Sequence, residues 1–384
     1  MSQQQGGSII GQLIGLLLSL LKSFSSPPAQ PGEPASPAEP TAPAQPMPSQ
    51  PPADAGALEP LAPRVLLVIY NPIVDAATSA KLIQTVGFRD PDQLVAGYIQ
   101  DLDECSGGLI KYQIVERVED TGFAAKDNGY LFEGAAFVSA YRNRGQLDGN
   151  MVDYYAILEK YNVTQRVANN EIDELWLVGY PSAGFYESVM GGRGAFWCNG
   201  PELTKTNATP RRFVVMGFNY ERGVGEMLES FGHRGESIME AVYRAKQGDA
   251  NLWQRFIRYE QTHPGDANCG NVHFAPNSAQ DYDWGNATPA QSCADDWLAF
   301  PNLPEPPIYK MMTANDWGKG DIRAHHRWWL THLPKVEGAT DAIAHNWWKY
   351  IVDPNNARLE RVRGMVAEPE HKMITHPWNI PGFK

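Results

Sequence analysis

The chain has 384 residues, 43% of them hydrophobic and 11% aromatic, with a formal net charge of −12 and a sequence pI near 5.2. That charge balance excludes nucleic acid as the main partner, because neutralising phosphates requires a basic face, and it disfavours an anionic membrane surface. The four cysteines form no C-x-x-C pair, so a structural zinc ribbon is also excluded.

Residues 1–26 form an apolar N-terminal segment. Its 13-residue run at 9–21, IIGQLIGLLLSLL, is shorter than the roughly 20 residues a membrane span needs. It reads as the h-region of an atypical export signal, or as a helix making peripheral membrane or partner contact through residues 9–21. Residues 27–63 contain 13 prolines, and such composition predicts a disordered, extended spacer.

The globular body is expected over 64–384. RVLLVIY at 64–70 is a buried-strand pattern, followed by a helical stretch at 76–86. Asp90-Pro91 supplies an N-cap and a first-turn proline for a helix running to Ser106, with Gly107 as its stop. Residues 109–117 predict a second strand, 151–161 and 164–169 helices, 174–180 a third strand and 211–218 a fourth. A long helix follows at 222–246. Beyond 264 the chain becomes irregular and aromatic, closed by helical pieces at 321–332 and 340–350. Eight of the 11 tryptophans occur from Trp284 onward, and AHHRWWL (324–330) resembles AHNWWKY (344–350). The pattern predicts an α/β fold: a partly parallel sheet flanked by helices, with a disordered N-terminal linker and a loop-rich, Trp-rich C-terminal extension over 264–384.

In such a sheet, functional groups gather in loops at the carboxyl ends of strands. Those loops nominate Tyr180, Tyr186, Glu187 and Asn219 as substrate-binding groups. Glu221 and Glu226, just after the fourth strand, are candidate acid/base carboxylates. Within the 222–246 helix, spacing can bring His233 together with Glu229 and Glu236 as ligands or as an acid–base set. The competing reading makes this a solvated acidic face. Gly232 and Gly235 flank His233-Arg234, and mid-helix glycines imply close backbone approach or a helix break. Ser182 lacks the G-x-S-x-G context of a hydrolase nucleophile.

Further candidates lie in the C-terminal part. His273 and His325 join His233 as metal ligands, while Asp281 and Asp283 offer hard oxygen donors, so zinc and calcium are the cofactors to consider. Trp328 and Trp329 form a candidate stacking platform. Cys269 and Cys293 bracket a turn-rich stretch that a disulfide would stabilise. Together these features lead to an exported or surface-tethered hydrolase of a carbohydrate or cell-wall-like polymer. It would use carboxylate/histidine chemistry with metal assistance, on polymeric or small-molecule substrates, with a peptide- or amide-cleaving variant. The alternative is a non-catalytic surface protein that binds glycans or a partner on a proline-rich stalk. The setting is extracellular or cell-envelope associated in both, with a cytoplasmic location as the other possibility.

Overall fold

The computed structural model describes residues 58–357, so the expectations for residues 9–21, most of the linker, and Trp378 lie outside the described residues. Among the described residues, no helix is long and apolar enough to cross a membrane. The described residues begin slightly before the expected boundary at 64. Leu61 pairs with Ile110 in an isolated bridge, and both Leu58 and Leu61 rest on the core. Two leucines among prolines give this end of the spacer enough apolar surface to dock.

Five strands form the main sheet. They are β1 (Arg64–Tyr70), β2 (Gln113–Asp120), β3 (Glu174–Gly179), β4 (Ser188–Gly191) and β5 (Phe213–Asn219). Their order is β2-β1-β3-β5-β4, parallel except for β4, which runs antiparallel to β5 at the edge. The parallel centre explains the sequence pattern. Both faces are covered: β1 and β3 are buried along nearly their whole lengths and carry continuous apolar runs rather than alternation.

Three helices matter for the site. Helix α1 (Pro91–Cys105) begins as predicted, with the Asp90 carboxylate accepting from the backbone N–H groups of Asp92 and Gln93. Helix α2 spans Val224–Tyr243 and α3 spans Ile322–Thr331. Asp101 of α1 is fully buried and accepts from Arg323 Nε and Arg327 Nη1 of α3, each at 2.7 Å. A second, fully buried tie runs through α2. Arg234 donates to both oxygens of Glu174, at 2.8 and 2.7 Å, and to the carbonyls of Ile351 and Val352. Tyr112 and Trp176 donate to the same carboxylate, which leaves neither oxygen unpaired.

Three sequence expectations change. The helix predicted at 340–350 is instead a hairpin, Lys335–Thr340 with Ile343–Asn346, followed by a short helix at Trp348–Val352. Asp341 and Ala342 both have positive φ, the backbone of a two-residue hairpin turn. AHNWWKY therefore straddles a strand and a helix and is not a structural counterpart of AHHRWWL. The stretch 76–86 is helical only over Leu82–Val86, after a small hairpin.

The disulfide is overturned: Cys269 and Cys293 are buried free thiols, as are Cys105 and Cys198. Hydrogen bonds do the stapling instead. Asn268 Oδ1 accepts from Trp297 Nε1 at 2.9 Å and from Cys293 Sγ at 3.3 Å, while Ser292 Oγ donates to the Asn268 carbonyl.

Two outcomes follow from this packing. Glu174→Gln leaves the Arg234 charge buried without its counter-ion, so urea unfolding should show a loss of about 3–5 kcal/mol. A change below about 1 kcal/mol would contradict the buried pair. Thiol titration of unreduced protein should find no reactive cysteine in the native state and all four in denaturant; finding two would restore the disulfide.

Candidate metal centre

β3 and β5 end side by side, with Gly179 opposite Asn219, so the loops that follow them share one edge of the sheet. Glu187 immediately precedes β4, and its carbonyl accepts from Gly217 N–H at 3.0 Å. A Cβ at Gly217 would lie 2.3 Å from the Tyr186 carbonyl oxygen. The absent side chain is what lets the 185–187 turn lie against β5.

Helix α2 leaves the same edge. Glu229 and His233 stand one turn apart on one face, only 4% and 7% exposed. The solvated-face reading is therefore incorrect for this part of the helix. Its polar face is covered by the segment around His273, which approaches over Gly232, where a Cβ would sit 2.6 Å from Val272 Cγ2. Three hydrogen bonds hold that segment. Trp329 Nε1 donates to Gly270 O at 3.0 Å, His326 Nε2 donates to Val272 O at 3.1 Å, and Val272 N–H donates to Glu236 Oε1 at 3.1 Å.

The result is a compact imidazole–carboxylate cluster. His233 Nε2 lies 3.0 Å from His273 Nε2, which lies 3.2 Å from Glu229 Oε1. Behind each ring stands a carboxylate: Glu236 Oε2 is 2.8 Å from His233 Nδ1, and Asp281 Oδ1 is 3.0 Å from His273 Nδ1. A proton on each Nδ1 facing its carboxylate leaves two Nε2 lone pairs pointed at one another. A cation or a proton held between the two Nε2 atoms satisfies both in that protonation state. Burial pulls both imidazoles down, but the surrounding carboxylates outweigh it and raise them. Burial likewise pushes Glu229 up, and the His273 hydrogen bond with the nearby imidazole charges reverses this and lowers it.

Among the described residues, Glu229, His233 and His273 bring their donor atoms within 4.8 Å of one another. Tetrahedral donors 2.0–2.1 Å from an ion lie roughly 3.4 Å apart. The His233–His273 and His273–Glu229 separations, 3.0 and 3.2 Å, fall a few tenths of an ångström short of that spacing. Of the three residues, Glu229 reaches the wall of a cavity of ≈ 330 Å³ that is also lined by Tyr180, Tyr186, Glu187, Asn219 and Arg222, and the two histidines stand behind it. Glu187 Oε2 is 3.8 Å from His233 Nε2 and accepts from Asn199 Nδ2 at 2.6 Å. Burial in the cavity wall raises this carboxyl, although the His233 charge opposes the shift.

The remaining candidates divide clearly. Glu226 edges the cavity, but its Oε2 accepts from Gly223 N–H at 2.9 Å and caps α2. Glu221 is exposed and accepts from the Tyr141 hydroxyl, away from the cavity wall. Glu236 faces His233 rather than the cavity. His325 is fully buried and stacks on Trp284 at 5.0 Å, outside the three-residue group; burial holds it well below the usual histidine range. Asp283 closes a turn by accepting from Ala279 N–H and Asn286 Nδ2, so it does not share a site with Asp281. Neither Trp328 nor Trp329 lines the cavity. Two groups escaped the sequence reading, Arg222 and Tyr282. Glu229 was legible through its four-residue spacing to His233, whereas nothing local in DYDWGN marks Tyr282.

Comparison of the chain with protein-family models, curated proteins and solved structures gave no match.

The two mid-helix glycines make a test of that geometry. Alanine favours a helix by about 1 kcal/mol over glycine. Gly235→Ala meets Ile351 at an ordinary 3.4 Å and should be neutral or stabilising. Gly232→Ala must displace Val272, and a net loss of about 1–3 kcal/mol is expected in urea unfolding. A Gly232→Ala variant more stable than wild type would contradict the close approach.

Proposed function

We propose that this chain is a metal-assisted hydrolase in which Glu229, His233 and His273 hold one divalent ion. The observation that carries this reading is the pair of facing Nε2 atoms, 3.0 Å apart, each ring backed by a carboxylate. Two imidazoles and one carboxylate are a common ligand set of hydrolytic zinc sites, and carboxylates behind ligating histidines orient the rings and raise their basicity. Calcium fits poorly, since it takes six to eight oxygen donors.

Glu187 stands on the cavity side of the cluster and is the group we assign as general base. A zinc ion lowers the pKa of a bound water to about 7. Glu187 accepts the proton as the water oxygen bonds to an acyl carbon, then returns it to the leaving nitrogen or oxygen as that bond breaks. Arg222, at the cavity wall, supplies a positive charge for an anionic part of the substrate. These roles favour the amide- or ester-cleaving variant over carbohydrate cleavage, because the tryptophans nominated for sugar stacking do not line the cavity. In this reading the Trp-rich C-terminal part is a scaffold for the His273 segment. The apolar N-terminal run and proline spacer suit an exported or surface-tethered enzyme.

Zinc analysis of dialysed wild-type protein should find one equivalent, and His233→Ala and His273→Ala should find none. Glu236→Gln should bind zinc about 10–100-fold more weakly. Against a panel of peptide, amide and ester substrates, Glu187→Gln should retain zinc while kcat falls by about 10²–10⁴. Wild-type protein that takes up no zinc, or a Glu187→Gln variant as active as wild type, would remove this reading.

A further inference from the structure

The donor cluster contains a fourth atom. The Tyr282 hydroxyl donates to Glu229 Oε1 at 2.8 Å and lies 3.0 Å from His273 Nε2. With the His233–His273 separation of 3.0 Å and the His273–Glu229 separation of 3.2 Å, four contacts in a narrow range join four donor atoms from three segments. That is the spacing expected at the edges of one coordination polyhedron, slightly contracted.

The backbone at this residue reinforces the point. Tyr282 has φ 58, in the left-handed region that bulky side chains seldom occupy, and its N–H donates to the His273 carbonyl at 3.2 Å. Its ring packs against His273 at 4.4 Å between centroids and against Trp284 at 5.1 Å. Such conformations persist where the surroundings over-determine them, and they cluster at functional sites. Here the surroundings fix the phenol oxygen among the donors. A tyrosine that only filled space could point its hydroxyl toward solvent.

We propose that Tyr282 Oη is a fourth protein ligand of the ion, an inference that rests on the metal reading above. On coordination the phenol O–H bond breaks, an oxygen–metal bond forms, and the proton passes to bulk water. With four protein ligands in place, a hydrolytic water would be an additional ligand, which such sites accommodate, and Glu187 would be the group placed to take its proton.

Copper(II) alone, added to the full chain, is a suitable probe because phenolate ligation to it gives a charge-transfer absorption in the visible. Wild-type protein should bind one equivalent and show this band, with tyrosinate modes enhanced in resonance Raman spectra. Tyr282→Phe should still bind one equivalent, about 10-fold or more weakly, without the band. The Raman measurement on wild-type protein gives the answer even if the variant fails to fold. Copper bound without the band or tyrosinate modes would overturn the role of Tyr282 and leave Glu229, His233 and His273 as ligands. Failure of wild-type protein to bind either copper or zinc would overturn the metal reading and this inference with it.

Discussion

Arg234 and Glu174 form a bidentate ion pair with essentially no solvent exposure, and it sets the rotation of α2. A charged pair so deeply buried is tolerated only when its hydrogen-bonding capacity is filled. Here the filling comes from β3, from Tyr112 ahead of β2, and from the backbone of the Trp348–Val352 helix. Because successive residues on a helix point about 100° apart, anchoring Arg234 on the sheet side sends His233 and Glu229 toward the opposite cover. The site is thus a consequence of the ion pair's geometry as much as of its own residues.

Buried on both sides, α2 departs from the amphipathic surface helix its charge pattern suggests. Its glycines are the adjustment that permits this. Gly225 and Gly232 sit where Ile322 and Val272 arrive, so the helix can be approached closely from α3 and from the His273 segment. α3 has the same double duty, binding Asp101 of α1 through its arginines and pinning Gly270 and Val272 through Trp329 and His326.

The sheet was legible because parallel strands buried on both faces write their position directly as uninterrupted apolar runs, as at 64–70 and 174–180. The loops at the strand ends were legible by the same logic, and Glu187 and Asn219 do border the cavity. Illegible features depend on partners distant in sequence. Trp328 and Trp329 look identical as letters, yet one is partly exposed and the other fully buried as a peg for Gly270. Asp281 and Asp283 are two residues apart but serve different neighbours, because Tyr282 between them takes a left-handed backbone. The helix expected at 340–350 failed for a local reason: a two-residue turn without glycine or asparagine carries little signal.

The segment around His273 was expected to be tied by a covalent bridge from Cys269, and it is not. An ion shared by His233 and His273 would itself join residues 40 positions apart. By the chain-entropy relation used for disulfides, closing a loop of that length is worth about 4 kcal/mol. Unlike a disulfide, such a tie contains no covalent S–S bond for a reductant to cleave, and it is undone by a chelator or by protonation of the imidazoles. The mechanical integrity of the C-terminal part would then be governed by metal availability rather than by the redox state of its surroundings.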